Sequence, residues 1–259
     1  MKVLVDKYLV LIKIYVAEYK VHMAAIFFKL VQLPFQMFMY LFLWAFIAKT
    51  SNVDYDYMIL YYLLTGMLSL AYPFLHISID IQNDVMEGGI ANSLVRPYNY
   101  IMPYLCKYIA WMCIYSIIYV PVLIGLFVFG KVNFLSIIFF IFSSVIGMFI
   151  EFMIWFSLGL LSLYFEKIRG FIRIIGALKM IVSGSLIPLY IMPETFQKLT
   201  MIFPFRYYIY IPVNNLLNNV SSFVSFENLI AALIWLILLS MFAFLLWTEG
   251  KKRMQVNVS

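Results

Sequence analysis

Six apolar runs, each long enough to cross a lipid bilayer, limit what this chain can fold into more strictly than any motif does. At a rise of about 1.5 Å per residue, a helix needs about 20 apolar residues to span the ~30 Å hydrocarbon layer. The runs cover residues 24–48, 57–79, 100–129, 134–165, 171–191 and 226–247. With 65% hydrophobic and 12% charged residues, the chain lacks the material for the polar surface of a soluble protein. The predicted fold is an all-α polytopic membrane protein with six transmembrane helices and no soluble domain.

The distribution of the basic residues predicts how the chain is oriented. The formal net charge is +6, but Lys and Arg are spread over the ends of the apolar runs and form no patch for nucleic acid. With a cytoplasmic N-terminus, fourteen of the eighteen lie inside, and Lys49, Lys131, Lys198 and Arg206 lie outside. Because cytoplasmic loops carry an excess of Lys and Arg, we expect both termini in the cytoplasm. The expected location is the cell membrane of a bacterium.

The first 22 residues have the pattern of an amphipathic helix that lies in the membrane interface. At about 100° per residue, Lys2, Asp6, Lys13 and Lys20 point to one side, and aliphatic and Tyr side chains fill the opposite arc. Charges recur along the segment and no small-residue cleavage site follows, so the segment is not a signal peptide. The predicted organisation is an interfacial helix at residues 1–22 and a six-span domain at residues 23–259.

A polar stretch at residues 80–103 separates the second and third apolar runs and is longer than a turn requires. Its polar and backbone-shaping residues are Asp80, Asp84, Glu87, Gly88, Gly89, Arg96 and Pro97. The glycine pair frees the backbone, and Pro97 disfavours helix at Arg96. The pattern therefore predicts a short helix at residues 90–95, displayed on the cytoplasmic face.

Four prolines interrupt the chain before the last apolar run: Pro188, Pro193, Pro204 and Pro212. Broken backbone at membrane depth persists only where it is packed inside protein or lines a cavity. We expect the fifth span to end early and short re-entrant or surface helices to occupy residues 188–219 near the outer surface, with Arg206 among them. Two interpretations stay open: an outer gate of a transport pathway, or an extracellular loop with an aromatic belt.

A carboxylate in the middle of the fourth run, Glu151, is the least expected residue of the chain. A charge at the bilayer centre costs ~2.5–3.5 kcal/mol on insertion scales, so it should face protein or water. Ser143 and Gly147 precede it at four-residue steps and form a face on which another helix can pack closely. Lys179 is a candidate partner. Glu151 either lines a substrate path that favours cationic or polar cargo, or makes a structural bond between helices.

The segment from Glu87 to Pro97, EGGIANSLVRP, followed by Leu105, Cys106 and Lys107, resembles the E-x-G-T-L-x-x-L-L-x-x-P … G-K signature of ABC-2-type transporter permeases. Ile90 replaces the usual Thr and Cys106 replaces a common Gly, as in a divergent branch, one that often has two unlike permeases. The six spans, the N-terminal helix and the proline-rich outer helices also resemble this family.

The resemblance implies a coupling helix that docks on separate cytoplasmic ABC ATPase subunits. The residues it assigns to ATPase coupling are Asp84, Glu87, Gly88, Gly89, Leu94, Arg96 and Pro97. The candidates for the pathway or gate, from their own positions in the chain, are Glu151, Pro188, Pro193, Pro204 and Arg206. We expect Asp84 and Glu87 to pair with basic residues of the ATPase. Leu94 would enter an apolar pocket there, and Arg96 would bind a carboxylate. Ordinary solvation of a charged loop is the alternative.

The motif matches in the sequence do not support a catalytic site. Residues 125–132 match G-x-x-x-x-G-K, but Val132 stands where a phosphate-binding loop needs Ser or Thr for Mg²⁺. Two histidines and the cysteines Cys106 and Cys113 give no metal site. We expect no cofactor in this chain, because ATP and Mg would be bound by the partner ATPase. The other expected partners are a second permease, in a homodimer or heterodimer, and membrane lipid. The expected activity is export of an amphipathic or hydrophobic drug, peptide or lipid-like molecule; alternatives are an intramembrane lipid-modifying enzyme and a secondary carrier.

Overall fold

The computed structural model describes residues 2–21, 23–47, 49, 54–71, 74–89, 99–218 and 222–256. Over these residues all regular structure is helical, with ten α-helices and three 3₁₀ turns and no strand. The helices are α1 (Lys2–Val21), α2 (Met23–Ile47), α3 (Tyr55–Ala71), α4 (Phe74–Met86), α5 (Ile101–Val128), α6 (Phe134–Leu160), α7 (Arg169–Val182), α8 (Glu194–Thr200), α9 (Tyr210–Leu217) and α10 (Ser222–Val256). The predicted all-α class is confirmed.

Five segments of the described chain are long and apolar enough to cross a membrane: Ile26–Ile47, Tyr55–Met86, Ile101–Val128, Phe134–Leu163 and Val224–Arg253. The predicted run at residues 171–191 forms only α7, which has 14 residues. At about 1.5 Å per residue this helix is about 21 Å long, too short to span the hydrocarbon layer alone. It ends just before Gly184, whose φ of +79° an L side chain rarely adopts.

The second span continues further than the sequence pattern predicts. We expected residues 80–103 to be a loop, whereas α4 runs on to Met86 and holds Asp80 and Asp84 in its last two turns. Gln82 and Asn83 are tolerated in a helix, and from Phe74 to Glu87 the described backbone has no break.

Helix α6 lies at the centre of the molecule and packs against α4, α9 and α10. Two glycines allow these close approaches. A Cβ on Gly147 would lie 2.6 Å from the Cα of Tyr208, and one on Gly159 would lie 2.7 Å from Cδ1 of Ile81. The predicted small-residue face at Gly147 is thus confirmed, because another segment packs directly on it.

Helix α1 packs along α5, where Tyr19 and Trp111 meet edge to face with ring centroids 5.1 Å apart. Over residues 6–20 of this helix the charged side chains are exposed, whereas Tyr8, Leu11, Tyr15 and other members of the predicted apolar arc are half-buried. The amphipathic pattern is therefore used in packing against α5. The location of α1 in the membrane interface stays a prediction.

Candidate functional site

The C-terminal end of α4 is fixed by Gly88. This residue adopts φ +73°, and the amide of Glu87 donates to the Asn83 carbonyl at 2.9 Å. A left-handed glycine is the usual way to end an α-helix. The Glu87 side chain is exposed beside it, so Glu87 is available to a partner.

Asp84, in contrast, is already bonded within the chain. Its Oδ2 accepts hydrogen bonds from the hydroxyls of Tyr100 and Tyr104, each at 3.0 Å. Burial first, and then Tyr104 and Asp84, raise the pKa of Tyr100 above its usual range, so its hydroxyl stays protonated and donates. A Cβ on Gly89 would overlap the Asp84 carboxylate and displace it. The geometry therefore gives Asp84 and Gly89 a part in joining α4 to the start of α5.

A depression of about 520 Å³ opens beside this helix end, and we call it the acidic depression. It is lined by four carboxylates, those of Glu18, Asp80, Asp84 and Glu87, and by one ammonium group, that of Lys107. Lys107 Nζ lies 2.7 Å from Asp80 Oδ2, and both side chains are about one third exposed. The surplus of negative charge favours a basic partner surface.

The predicted coupling helix at residues 90–95 and the candidate residues Leu94, Arg96 and Pro97 lie outside the described residues. Asp84, Glu87, Gly88 and Gly89 are therefore the candidates whose surroundings are described. The structure brings these four together at one end of α4.

Glu151 forms an ion pair with Lys179, the partner that the sequence suggested. The Glu151 side chain is 1% exposed, and its Oε1 also accepts a hydrogen bond from Trp155 Nε1 at 3.1 Å. The Lys179 ammonium lies over the Tyr208 ring, 4.9 Å from its centroid. This ion pair joins α6 to α7, so the geometry favours the structural interpretation of Glu151.

The proline-rich segment forms short helices, as its pattern predicts. Pro188 precedes a 3₁₀ turn at Leu189–Ile191, Pro193 is the residue before α8, and Pro204 begins a second turn. The second of these turns and α9 pack against α6, with Tyr208 on Gly147, the midpoint of α6. Much of this segment is thus packed inside protein, which is the condition for irregular backbone at membrane depth.

Tyrosine hydroxyls satisfy the backbone where α7 ends. Tyr61 donates to the Gly184 carbonyl at 2.7 Å, and Tyr62 donates to the Leu186 carbonyl at 2.8 Å. A buried carbonyl without such a partner would cost about 1–3 kcal/mol. The bonds hold the turn after α7 against α3.

Arg206 is buried, with 9% of its surface exposed, although the sequence predicted an outer-surface position. It lies in the turn before α9, its Nη1 donates to the Gln197 carbonyl at 3.5 Å, and its guanidinium lies 5.7 Å from the Tyr210 ring centroid. The difference arises because this turn packs against α6, α7 and α10, so Arg206 follows it inward.

A cavity of about 340 Å³, here called the inner cavity, lies between α2, α3, α5 and α7. Its lining includes Lys29, Gln32 and Gln36 of α2 and Lys179 of α7. The three α2 residues are spaced i, i+3 and i+7, which places them on one helix face. Sequence reasoning missed this site, but polar residues at that spacing inside an apolar run were a usable signal.

Among the described residues, no group of three or more His, Cys, Asp and Glu could hold a metal ion. Together these features define a helical, membrane-embedded protein. Its central helix α6 carries a buried ion pair, and polar side chains of the described residues line the acidic depression and the inner cavity.

The family of the chain follows from its sequence. Residues 34–257 match the family model described as ABC-2 family transporter protein. The match covers most of the chain, and the protein belongs to this family. Members are membrane transport subunits, generally without an ATPase site of their own, that work with a cytoplasmic ABC ATPase. The resemblance carried by residues 87–107 is thus confirmed. No curated protein matches the chain significantly.

Proposed function

We propose that this permease exports an amphipathic or hydrophobic molecule, driven by a cytoplasmic ATPase that engages the end of α4 and the loop after it. The observation that carries this proposal is the acidic depression, where three further carboxylates lie beside the exposed Glu87. A basic surface of an ATPase would be attracted there and held in one orientation. ATP and Mg reside on that partner, and this chain supplies no catalytic residue.

The placement of polar groups supports a cytoplasmic position for this end of α4. Helix α4 ends beside Glu18 of α1 and Lys107 near the start of α5, so the N-terminal helix and two spans present charged residues on one side. The excess of Lys and Arg on the same side favours the cytoplasm. Both termini then lie inside, in the cell membrane of a bacterium.

The fifth crossing in chain order is completed, in this proposal, by α7 together with the segment at residues 183–218, which brings the total to six. Helix α7 ends at Val182, α9 packs against α6, and Tyr208, two residues before α9, lies on the midpoint glycine Gly147. Two short pieces that meet inside the protein can replace one continuous span, because their backbone is satisfied by neighbours. The segment would form the outer gate, with Pro188, Pro193 and Pro204 setting its turns.

A second permease is expected to cover part of the exposed apolar surface. In α2, Phe28, Phe35 and Phe42 are 71%, 69% and 85% exposed, and α10 has similar residues. Lipid covers whatever apolar surface the second permease does not. Two permeases and two ATPases would then make the working transporter.

Reconstitution of the permease with its ATPase in proteoliposomes tests the proposal. The substitution Glu87→Lys reverses the charge at the exposed rim of the acidic depression, and we expect the permease-dependent part of ATP hydrolysis to fall at least tenfold. The matched control is Glu194→Lys, because Glu194 is an exposed glutamate in the segment proposed to lie outside. Equal hydrolysis by wild type and Glu87→Lys would contradict docking at this site.

A further inference from the structure

The inner cavity has a polar lining at a depth where most side chains are apolar. Lys29 lies three residues after the start of the candidate span Ile26–Ile47, about 4.5 Å along it, and Lys179 lies ten residues into α7, about 15 Å along that helix. Gln32, Gln36, Thr65 and other polar side chains share the wall with them. Polar groups at such depth in a membrane protein usually face a ligand or a water-filled cavity.

The charge of the lining is positive. Its charged residues are Lys29 and Lys179, and the described lining includes no Asp or Glu. Lys179 is balanced by Glu151. Lys29 has no carboxylate within ion-pair distance among the described residues, so one uncompensated positive charge belongs to the cavity.

The Lys29 side chain points into the protein. Its ammonium lies over the Trp111 ring, 4.1 Å from the centroid, and the Trp111 indole N–H donates to the Leu70 carbonyl at 3.1 Å. Trp111 is itself 8% exposed. A lysine near a helix end usually extends its side chain toward the membrane surface. Lys29 instead directs its ammonium group at the Trp111 ring.

The rest of the wall suits an apolar chain. Leu33 and Met37 lie on the same face of α2 as the two glutamines, and Met180 faces them from α7. At the far end Tyr40 stacks on Tyr62 with ring centroids 4.3 Å apart. The volume of about 340 Å³ lies within the range of small-molecule sites.

We propose that the inner cavity binds an anionic amphiphile, with its carboxylate or phosphate at Lys29 and the amides of Gln32 and Gln36, and that such molecules are the substrate class of this permease. A cationic amphiphile is rejected, because Lys29 repels it and no lining carboxylate receives it. The assignment of substrate rests on the proposed export function; the binding site does not.

Equilibrium binding to the purified full-length protein, in nanodiscs of zwitterionic lipid, tests the site without any ATPase. Radiolabelled dodecyl phosphate is the probe, with unlabelled dodecanoate and dodecyltrimethylammonium as competitors of equal chain length. We expect dodecyl phosphate to bind, dodecanoate to displace it, and the cationic competitor to fail. Lys29→Gln should weaken binding at least tenfold, and Lys29→Arg should retain it.

The control variant is Lys131→Gln, which removes an exposed lysine from the turn after α5 and should leave binding unchanged. Absence of binding to wild type, equal affinity of Lys29→Gln and wild type, or equal displacement by the cationic detergent would overturn the site. A cavity occupied by a second copy of the chain would appear as absence of binding.

A second experiment distinguishes binding in the inner cavity from the proposed substrate assignment. In proteoliposomes with the ATPase, dodecyl phosphate should stimulate ATP hydrolysis by wild type and not by Lys29→Gln. Binding without stimulation would overturn the substrate assignment. Basal hydrolysis that depends on Glu87, together with absence of binding, would leave the export proposal intact and remove the cavity proposal.

Discussion

The ion pair between Glu151 and Lys179 makes a quantitative prediction about stability. The two side chains are 1% and 10% exposed, so neither charge can be solvated by water if its partner is removed. Loss of one member of a buried pair costs about 3–5 kcal/mol, because it leaves an uncompensated buried charge. We therefore expect Lys179→Met and Glu151→Leu each to lower the free energy of unfolding by roughly this amount.

Removal of both charges should cost much less than the sum of the single losses. A buried pair replaced by apolar residues of similar volume is often neutral or even stabilising, because the desolvation cost disappears with the charges. The variant Glu151→Leu combined with Lys179→Met should lie within about 2 kcal/mol of wild type. The coupling energy of the double-mutant cycle is then on the order of 5 kcal/mol, well above the usual range for contacting residues.

Unfolding in mixed micelles of increasing SDS content, followed by tryptophan fluorescence, measures these free energies. The control cycle uses Glu194 and Lys198, an i,i+4 pair on α8 whose side chains are 80% and 69% exposed. Such surface pairs contribute only about 0.3–0.5 kcal/mol. Additive losses at Glu151 and Lys179, or single variants as stable as wild type, would refute the inference that this pair holds α7 to α6.

Two further predictions concern packing and topology. Gly147→Ala should destabilise the protein by about 1–3 kcal/mol, because its Cβ would lie 2.6 Å from Tyr208 Cα. In the same SDS titration the control Gly125→Ala, which has open space around it, should not destabilise the protein. Equal effects of the two substitutions would contradict the close packing at Gly147. In a background without native cysteines, a membrane-impermeant thiol reagent applied to intact cells should label Lys131→Cys but not Glu249→Cys; the opposite pattern would reverse the proposed orientation.

Features that depend on one segment could be predicted from the sequence, and features that depend on two could not. The apolar runs predicted the long helices, because length and hydropathy are local properties. Glu151 needed a partner, and Lys179 was the one basic residue suggested for it. The tyrosine bonds of Asp84 were not predictable, since they require α4 and the start of α5 to lie side by side. The early end of the fifth run was expected from its prolines, but its position at Val182 was not predictable, because the bond from Tyr61 to the Gly184 carbonyl joins α3 to the turn after α7.

Trp155 shows how α4, which ends at the acidic depression, is connected to the inner cavity. Ser78 of α4 donates to the Trp155 carbonyl at 2.6 Å, and the Trp155 indole donates to Glu151, which pairs with Lys179 in the wall of the inner cavity. A displacement of α4 by an ATPase would therefore act on the residue that positions the ion pair. Because Ile81 also packs directly on a glycine of α6, α4 cannot slide past α6 without resistance. The force applied at the acidic depression would reach the cavity through α6, along contacts that are hydrogen-bonded or closely packed at every step.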